Sequence, residues 1–291
     1  MSETSTPEPR LSVIVPTCNR APALALCLAA LADQTLPKAD MEVLVVDDSG
    51  TRGEGTILPV SPRFPRLRLL RHQANSGAGA ARNTGARAAS APYLAFTDDD
   101  CLPEPTWAAE LLAQFLESPG VALAGTVLVY EPQPSTDRVT QLLSTPMKAE
   151  DGTILRAQSA NLAVPAEEFE TIGGYDEGFT GGGYEDYDIC LRWRASGRHI
   201  LAAPGAVVLH KRDTTLRRYW LQHYRYGRGA AHLYGQGPEG PRPPLKSSLG
   251  NMVRTIRAGN TLPERLKYTG LVGLSQIAML AGFAAKRFAA S

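Results

Sequence analysis

At 291 residues, 43% hydrophobic and 20% charged, the chain can bury a core as one large globular domain, with or without an appendage. Its four cysteines, Cys18, Cys27, Cys101 and Cys190, form no CxxC pair, which argues against a disulfide framework or zinc knuckle and makes a reducing cytoplasm the default. The net charge of +1 conceals an asymmetry: residues 1–210 hold 16 Lys/Arg against 26 Asp/Glu (−10), residues 211–291 hold 14 against 3 (+11), and so basic a last third suits an anionic partner.

Residues 1–10 are polar and proline-rich, show no secretory signal pattern and are expected to be disordered. Short Val-, Ile- and Leu-rich runs then predict strands at 11–15, 42–46, 67–70 and 93–96. Helices are predicted at 22–33, with Pro22 in a tolerated first-turn position, and at 77–90. This alternation implies an α/β fold with a mostly parallel central sheet covered on both faces. Ligands of such sheets bind beyond the carboxyl ends of the strands, where segments 16–20, 47–49 and 98–100 lie. Past the midpoint, 121–130 and 157–164 read as longer strands and 173–183 as a mobile glycine-rich loop. A helix is expected over 184–196, a strand pair ending at Leu209, and a linker at 235–244.

Four groups of residues and one histidine carry chemistry. Asp98, Asp99 and Asp100 are adjacent carboxylates at a strand end, costly without a cation among them; hard oxygen ligands suit Mg²⁺ or Mn²⁺. Asp47 and Asp48 could accept hydrogen bonds from a base or ribose, and read equally as an Asx turn or helix cap with Ser49. Small residues from Gly77 onward let backbone approach a phosphate, and Arg82 offers a bidentate partner; alone, the segment reads as an alanine-rich packing helix. The run Tyr184-Glu185-Asp186-Tyr187-Asp188 puts acid at a helix start, which suits the dipole and also offers a general base behind the glycine-rich loop. His210 at the end of a strand would be a reasonable third metal ligand.

In this order, SVIVPTCNR (12–20), LVVDDS (44–49), NSGAGAARNTG (75–85), FTDDDCLP (96–103), FETIGGYDEGF (169–179) and Glu185-Asp186-Tyr187-Asp188 resemble the family 2 glycosyltransferases over roughly 11–212. The resemblance implies a single GT-A-type nucleotide-binding domain, followed by a basic, mainly helical extension over 213–291. It implies an inverting enzyme moving a sugar from a UDP-, GDP- or dTDP-sugar to an acceptor hydroxyl. Pro16, Thr17, Arg20 and Asp48 match positions lining the nucleotide, as does Gly77, with Arg82 near the base and diphosphate. Asp98 and Asp100 match the DxD motif, His210 a metal-binding histidine, and Asp186 the catalytic base. Gly182, Gly183, Tyr184 and Glu185 fall in the acceptor or lid region. Mn²⁺ or Mg²⁺ is the expected cofactor. Two departures stand out: Thr97 replaces the more usual Leu, and Asp99 makes the motif a triplet, leaving open which carboxylates touch metal and whether Asp99 faces the nucleotide sugar.

A nucleotidyltransferase should carry a glycine-rich, basic signature after the first strand, where this chain has PTCNRAP; an oxidoreductase should carry GxGxxG there. A catalytically inactive nucleotide-binding protein remains as the non-enzyme alternative. No signature of nucleic-acid binding accompanies the basic tail. Instead Leu216, Tyr219, Trp220 and Tyr224 recur at helical spacing with Arg217, Arg218, Arg225 and Arg228 around them, the pattern of a helix lying on an anionic membrane. The enzyme is therefore expected in the cytoplasm, peripheral on the inner face of the membrane. Residues 269–285 are apolar but 17 long, short of a span. The competing expectation packs Leu271, Leu274, Ile277 and Met279 in the interior or in a homodimer contact.

Overall fold

The computed structural model describes residues 8–50, 66–130, 134–144, 147–149, 151–181, 183–212, 214–235 and 245–288. The first half runs β1 (Leu11–Thr17), α1 (Ala21–Ala32), a 3-10 turn (Lys38–Asp40), β2 (Met41–Asp47), β3 (Leu67–Arg71), α2 (Ala78–Ala88), β4 (Tyr93–Thr97) and β5 (Cys101–Pro103). Next come α3 (Trp107–Glu117), β6 (Ala122–Val129), α4 (Ser135–Leu143), β7 (Met147–Lys148), β8 (Ile154–Arg156), β9 (Asn161–Pro165) and α5 (Ala166–Thr171). The chain closes with α6 (Glu185–Ala195), β10 (Ile200–His210), α7 (Leu216–Gly235), α8 (Leu245–Arg257) and α9 (Leu262–Phe288).

Eight strands form one sheet in the order β3-β2-β1-β4-β9-β6-β10-β5. Pairings on the β3 side are parallel, as β-α-β crossovers require. β9 is antiparallel to both neighbours, β4 and β6, and β5 runs antiparallel at the edge beside β10. β1 and β2 are buried along their whole length, which is why they read as unbroken apolar runs. Leu11, Val13 and Val15 pack with Leu24, Cys27 and Leu28 of α1 and with Trp107 and Phe115 of α3. On the opposite face Ile14 and Leu44 share a core with Phe169 of α5 and with Ile189 and Trp193 of α6. α2 lies close on that face because Gly85 has no side chain: a Cβ there would stand 2.5 Å from Ile14 Cγ2.

The expected strand pair ending at Leu209 is one strand, β10, whose register against β6 shifts between Ala203 and Val207. Asn161 fills that irregularity. Its Nδ2 donates to the carbonyls of Thr126 and Ala206, both at 2.9 Å, and its Oδ1 accepts from Trp107 Nε1 at 2.8 Å. At the N-terminus Pro9 is buried and Arg10 N donates to Asp40 O, so residues 8–10 belong to the fold rather than to a disordered arm. Residues 1–7 and 236–244, the bulk of the expected linker, lie outside the described residues.

The C-terminal helices correct two expectations. On the face of α7 expected to meet a membrane, Tyr219 is fully buried and its hydroxyl donates to Leu271 O, Trp220 and Tyr224 are half-buried, and Leu216 is exposed. It packs along α9 through glycines, since a Cβ at Gly227 would meet Met279 O and one at Gly282 would meet Tyr224 O, each at 1.9 Å. α9 itself has 27 residues, long and apolar enough by length and composition to cross a membrane. Here its inner side is covered, with Leu271 buried, while Ile277 is 59% and Leu280 70% exposed.

Candidate functional site

Loops at the carboxyl ends of β1, β2, β4 and β10 converge on one cleft. The Asp98–Asp100 triplet lies in the turn after β4, closed by Cys101 N donating to Asp98 O at 3.0 Å, and its members divide by burial. Asp99 points into the fold, fully buried, where Thr17 Oγ1 donates to it at 2.7 Å and Arg20 pairs with it. Asp98 and Asp100 stay partly exposed on the cleft side. Burial pushes the Asp99 carboxyl up to about 7 against the pull of Arg20. Burial also opposes ionisation of Asp100, but His210 and Arg20 outweigh it and hold that carboxyl well below the usual range.

His210 is brought to Asp100 by the end of β10, with Nε2 2.9 Å from Asp100 Oδ1. Arg212 Nε donates to that same nitrogen at 2.8 Å. With His210 neutral and accepting from Arg212, in place of the protonated ring that lowers Asp100, Nε2 has no proton to give Asp100, so two electron-rich atoms face each other. That arrangement fits a cation. Ligand atoms of Asp98, Asp100, Cys101 and His210 all lie within 4.8 Å of one another. Burial holds the Cys101 thiol well above its ordinary value, so two carboxylates and an imidazole make the donor set for a hard divalent ion.

The other nucleotide-side residues are less open. Pro16 is buried within β1, opposite Val46. Asp48 accepts from the amides of Ser76 and Gly77, both at 2.8 Å, and His72 Nδ1 lies 2.8 Å away, so its carboxylate organises the entry to α2. Asp47 forms an Asx turn with Ser49. Gly77 has φ +93, a conformation that favours glycine. Arg82 is buried on α2 and joins the two acidic groups: Nη2 donates to Asp98 at 2.7 Å and Nη1 to Glu185 at 3.4 Å.

Asp186 stands in the first turn of α6, 3.9 Å from Arg156 Nη2, on a pocket that Asp98, Arg82 and Arg212 also line. The turn into α6 is made by Tyr184 at φ +73, a strained conformation for a non-glycine residue costing on the order of 1 kcal/mol or more. Glu185 lines the same pocket but is buried, its Oε2 accepting from Gly183 N at 2.6 Å; burial and then the charge of Asp186 raise its carboxyl, against Arg82. The expected mobile loop is anchored over 173–179. Asn83 Oδ1 accepts from Tyr175 N and its Nδ2 donates to Tyr175 O; Tyr175 is buried; Asp176 pairs with His232 of α7; and Phe179 stacks edge-on against His232. Gly182 lies outside the described residues. Gly183 rests on α7, where a Cβ at Gly229 would meet its carbonyl at 2.1 Å.

Sequence reasoning missed three parts of this cleft. Arg212 was legible, two residues past His210 on the same side of the chain. Arg156 on β8 gave no signal. Arg218 and Arg225, expected on lipid, instead line a pocket of about 680 Å³ with Arg20, Asp98, Asp100, His210 and Lys211.

The sequence model described as "Glycosyl transferase family 2" matches residues 12–168. The chain belongs to glycosyl transferase family 2. A second model, described as "N-terminal domain of galactosyltransferase", matches 155–216. Among family relatives, a validoxylamine A glucosyltransferase of Streptomyces hygroscopicus is 32% identical over 222 residues, covering 65% of this chain and 52% of that protein. A pre-mycofactocin glycosyltransferase of Mycobacterium tuberculosis is 29% identical over 262 residues, covering 84% and 52%. The chain thus spans about half the length of these curated relatives. Among solved structures, a mannosyltransferase from Pyrobaculum calidifontis in complex with GDP-Man and Mn²⁺ superposes with TM-score 0.64 at 20% identity, covering 98% and 89%. TarS of S. aureus does so with TM-score 0.54 at 15% identity, covering 94% and 54%. These likenesses establish the fold, a mixed α/β domain of GT-A type followed by C-terminal helices.

Proposed function

We propose that the protein is an inverting glycosyltransferase that moves a sugar from a nucleoside diphosphate to an acceptor hydroxyl. One observation carries the reading: Asp98, Asp100 and His210, from sequence positions more than 100 residues apart, converge at a cleft that also holds Asp186. The pocket with Arg20, Lys211, Arg212, Arg218 and Arg225 suits the donor's diphosphate. Asp98, Asp100 and His210 would hold Mn²⁺ or Mg²⁺, which when bound supplies positive charge for the departing nucleoside diphosphate. The arginines orient that leaving group, and Arg82 fixes Asp98. Asp186 Oδ takes the proton of the acceptor hydroxyl as it attacks the anomeric carbon from the opposite face, so the configuration inverts. The donor found with the Pyrobaculum calidifontis mannosyltransferase makes GDP-mannose a first candidate, beside UDP- and dTDP-sugars.

A thermal-shift screen of these nucleotide sugars with Mn²⁺ tests the reading, because a ligand at a hundred times its Kd stabilises by about 2.7 kcal/mol. The right donor should raise Tm with Mn²⁺ and lose the effect in EDTA; no response to any of them would sink it. The outer side of α9 completes the proposal. Exposed Leu262, Leu266, Ile277, Leu280 and Phe288, with exposed Arg265, Lys267 and Arg287 on the same helix, suit the headgroup layer of an anionic membrane.

A further inference from the structure

Three pockets form a row around Asp186. The cationic pocket shares Asp98 and Arg212 with the small one beside Asp186, and that one shares Ser144, Arg156 and Tyr226 with a third. The third is a cavity of about 380 Å³ between Tyr184 and the helices α7, α8 and α9.

The cavity changes character along its length. At the neck Arg156 holds one nitrogen 3.9 Å from Asp186, while its buried Nε has no hydrogen-bond partner among the described residues. Beyond the neck the walls are mostly apolar and aromatic, with Tyr226, Ala230, Met279 and Phe283, and carry His223, Asn251 and Gln276 as polar members. At the far rim stands Leu280, on the exposed apolar line of α9. Loose helix packing does not account for the space, because α7 and α9 touch backbone to backbone at Gly227 and Gly282 beside it. A nucleotide sugar has no apolar part of this size, and its anionic groups are met in the cationic pocket.

We propose that this cavity is the acceptor subsite and takes an amphipathic acceptor, whose hydroxyl-bearing polar head sits at the Arg156–Asp186 neck and whose apolar body lies among α7, α8 and α9. The assignment rests on the transferase reading. Arg156 is then a donor for the polar head, and the apolar body excludes water that would otherwise hydrolyse the sugar donor. The body is either a flexible chain reaching the rim at Leu280 or a compact aromatic ring system.

Binding of methyl, hexyl and octyl β-glucosides and of 2-naphthyl β-glucoside to the full chain, below micellar concentrations and with MnCl₂ and nucleoside diphosphate present, tests it by calorimetry. Affinity should rise about two- to fourfold per methylene from hexyl to octyl. Octyl tighter than naphthyl identifies a chain, and the reverse a ring; both support the cavity. Equal affinity for methyl, octyl and naphthyl glucosides, or none, overturns it. Ala230→Phe fills the cavity and should weaken octyl glucoside at least tenfold while nucleotide still binds. Should that variant not fold, Leu280→Asp at the exposed rim should weaken octyl glucoside several-fold and leave methyl glucoside unchanged; no change in either overturns the assignment. Nucleotide binding with methyl, octyl and naphthyl glucosides bound alike, or not at all, removes this proposal alone, whereas failure of every nucleotide sugar to bind removes the transferase reading and the acceptor assignment with it.

Discussion

Asp186→Asn should keep nucleotide-sugar binding and lose transfer by about a hundred- to ten-thousand-fold, the usual worth of a positioned base. Turnover near the parent's would show that another group takes the proton. The three aspartates of 98–100 should separate in the same assay. Asp100→Asn removes an anion facing His210 and should abolish the Mn²⁺-dependent rise in Tm on donor binding. Asp99→Asn should leave that rise in place and lower the Tm of the free protein by a few degrees, about 1–2 kcal/mol, because its partner Arg20 is half exposed and solvent weakens the pair. If Asp99→Asn abolished the metal response instead, Asp99 would be a ligand. An acidic triplet read as composition treats its members alike, and only the turn after β4 separates the buried middle one from the outer two. Asp48 was harder to read, because its partners are backbone amides 28 and 29 residues away, contacts that only the loop before α2 creates.

At the level of elements, Gly282→Val would drive a side chain into Tyr224 O and separate α7 from α9. It should cost about 1–3 kcal/mol and lower Tm by several degrees in a thermal melt. Gly270→Ala on the same helix meets nothing within 4 Å, lies on the exposed side, and should stabilise by about 0.5–1 kcal/mol. Equal effects of the two would mean that α9 does not cross α7 at that point. The early strands were legible because each is a short apolar run between turn residues, and they fall within two residues of their expected ends. Composition alone did not show what the first glycines of the loop do. Gly173 and Gly174 supply positive φ angles for a turn that Asn83 then clamps, so glycine there serves geometry rather than freedom. The aromatic face of α7 was equally ambiguous: apolar residues at helical spacing do not say whether lipid or protein will cover them.

For the molecule as a whole, the +11 of residues 211–291 divides between two surfaces. Arg218 and Arg225 line the cationic pocket beside Asp98 and Asp100, and the exposed basic residues of α9 stay with its apolar line. Liposome flotation at low salt should therefore require anionic lipid and should fail for the double variant Leu266→Glu and Ile277→Glu, with nucleotide binding unchanged. Flotation that is absent, or equal on neutral vesicles, leaves that face to some other contact. The basic tail was legible as a cationic surface; its division was not, since it depends on which way α7 rolls. A different consequence follows from β9. Within the sheet it is the strand standing between β4 and β6, and its residues 161–165 follow both of these in the chain. A ribosome-bound chain that has emerged only to about residue 150 holds the half-sheet β3-β2-β1-β4, with a bare edge on β4 where β9 belongs, and β6 with neither of its partners β9 and β10. Until β9 emerges and inserts, those edges are open to strands of other nascent chains. Expression yield should thus respond to translation pauses before residue 165 more sharply than to pauses after it.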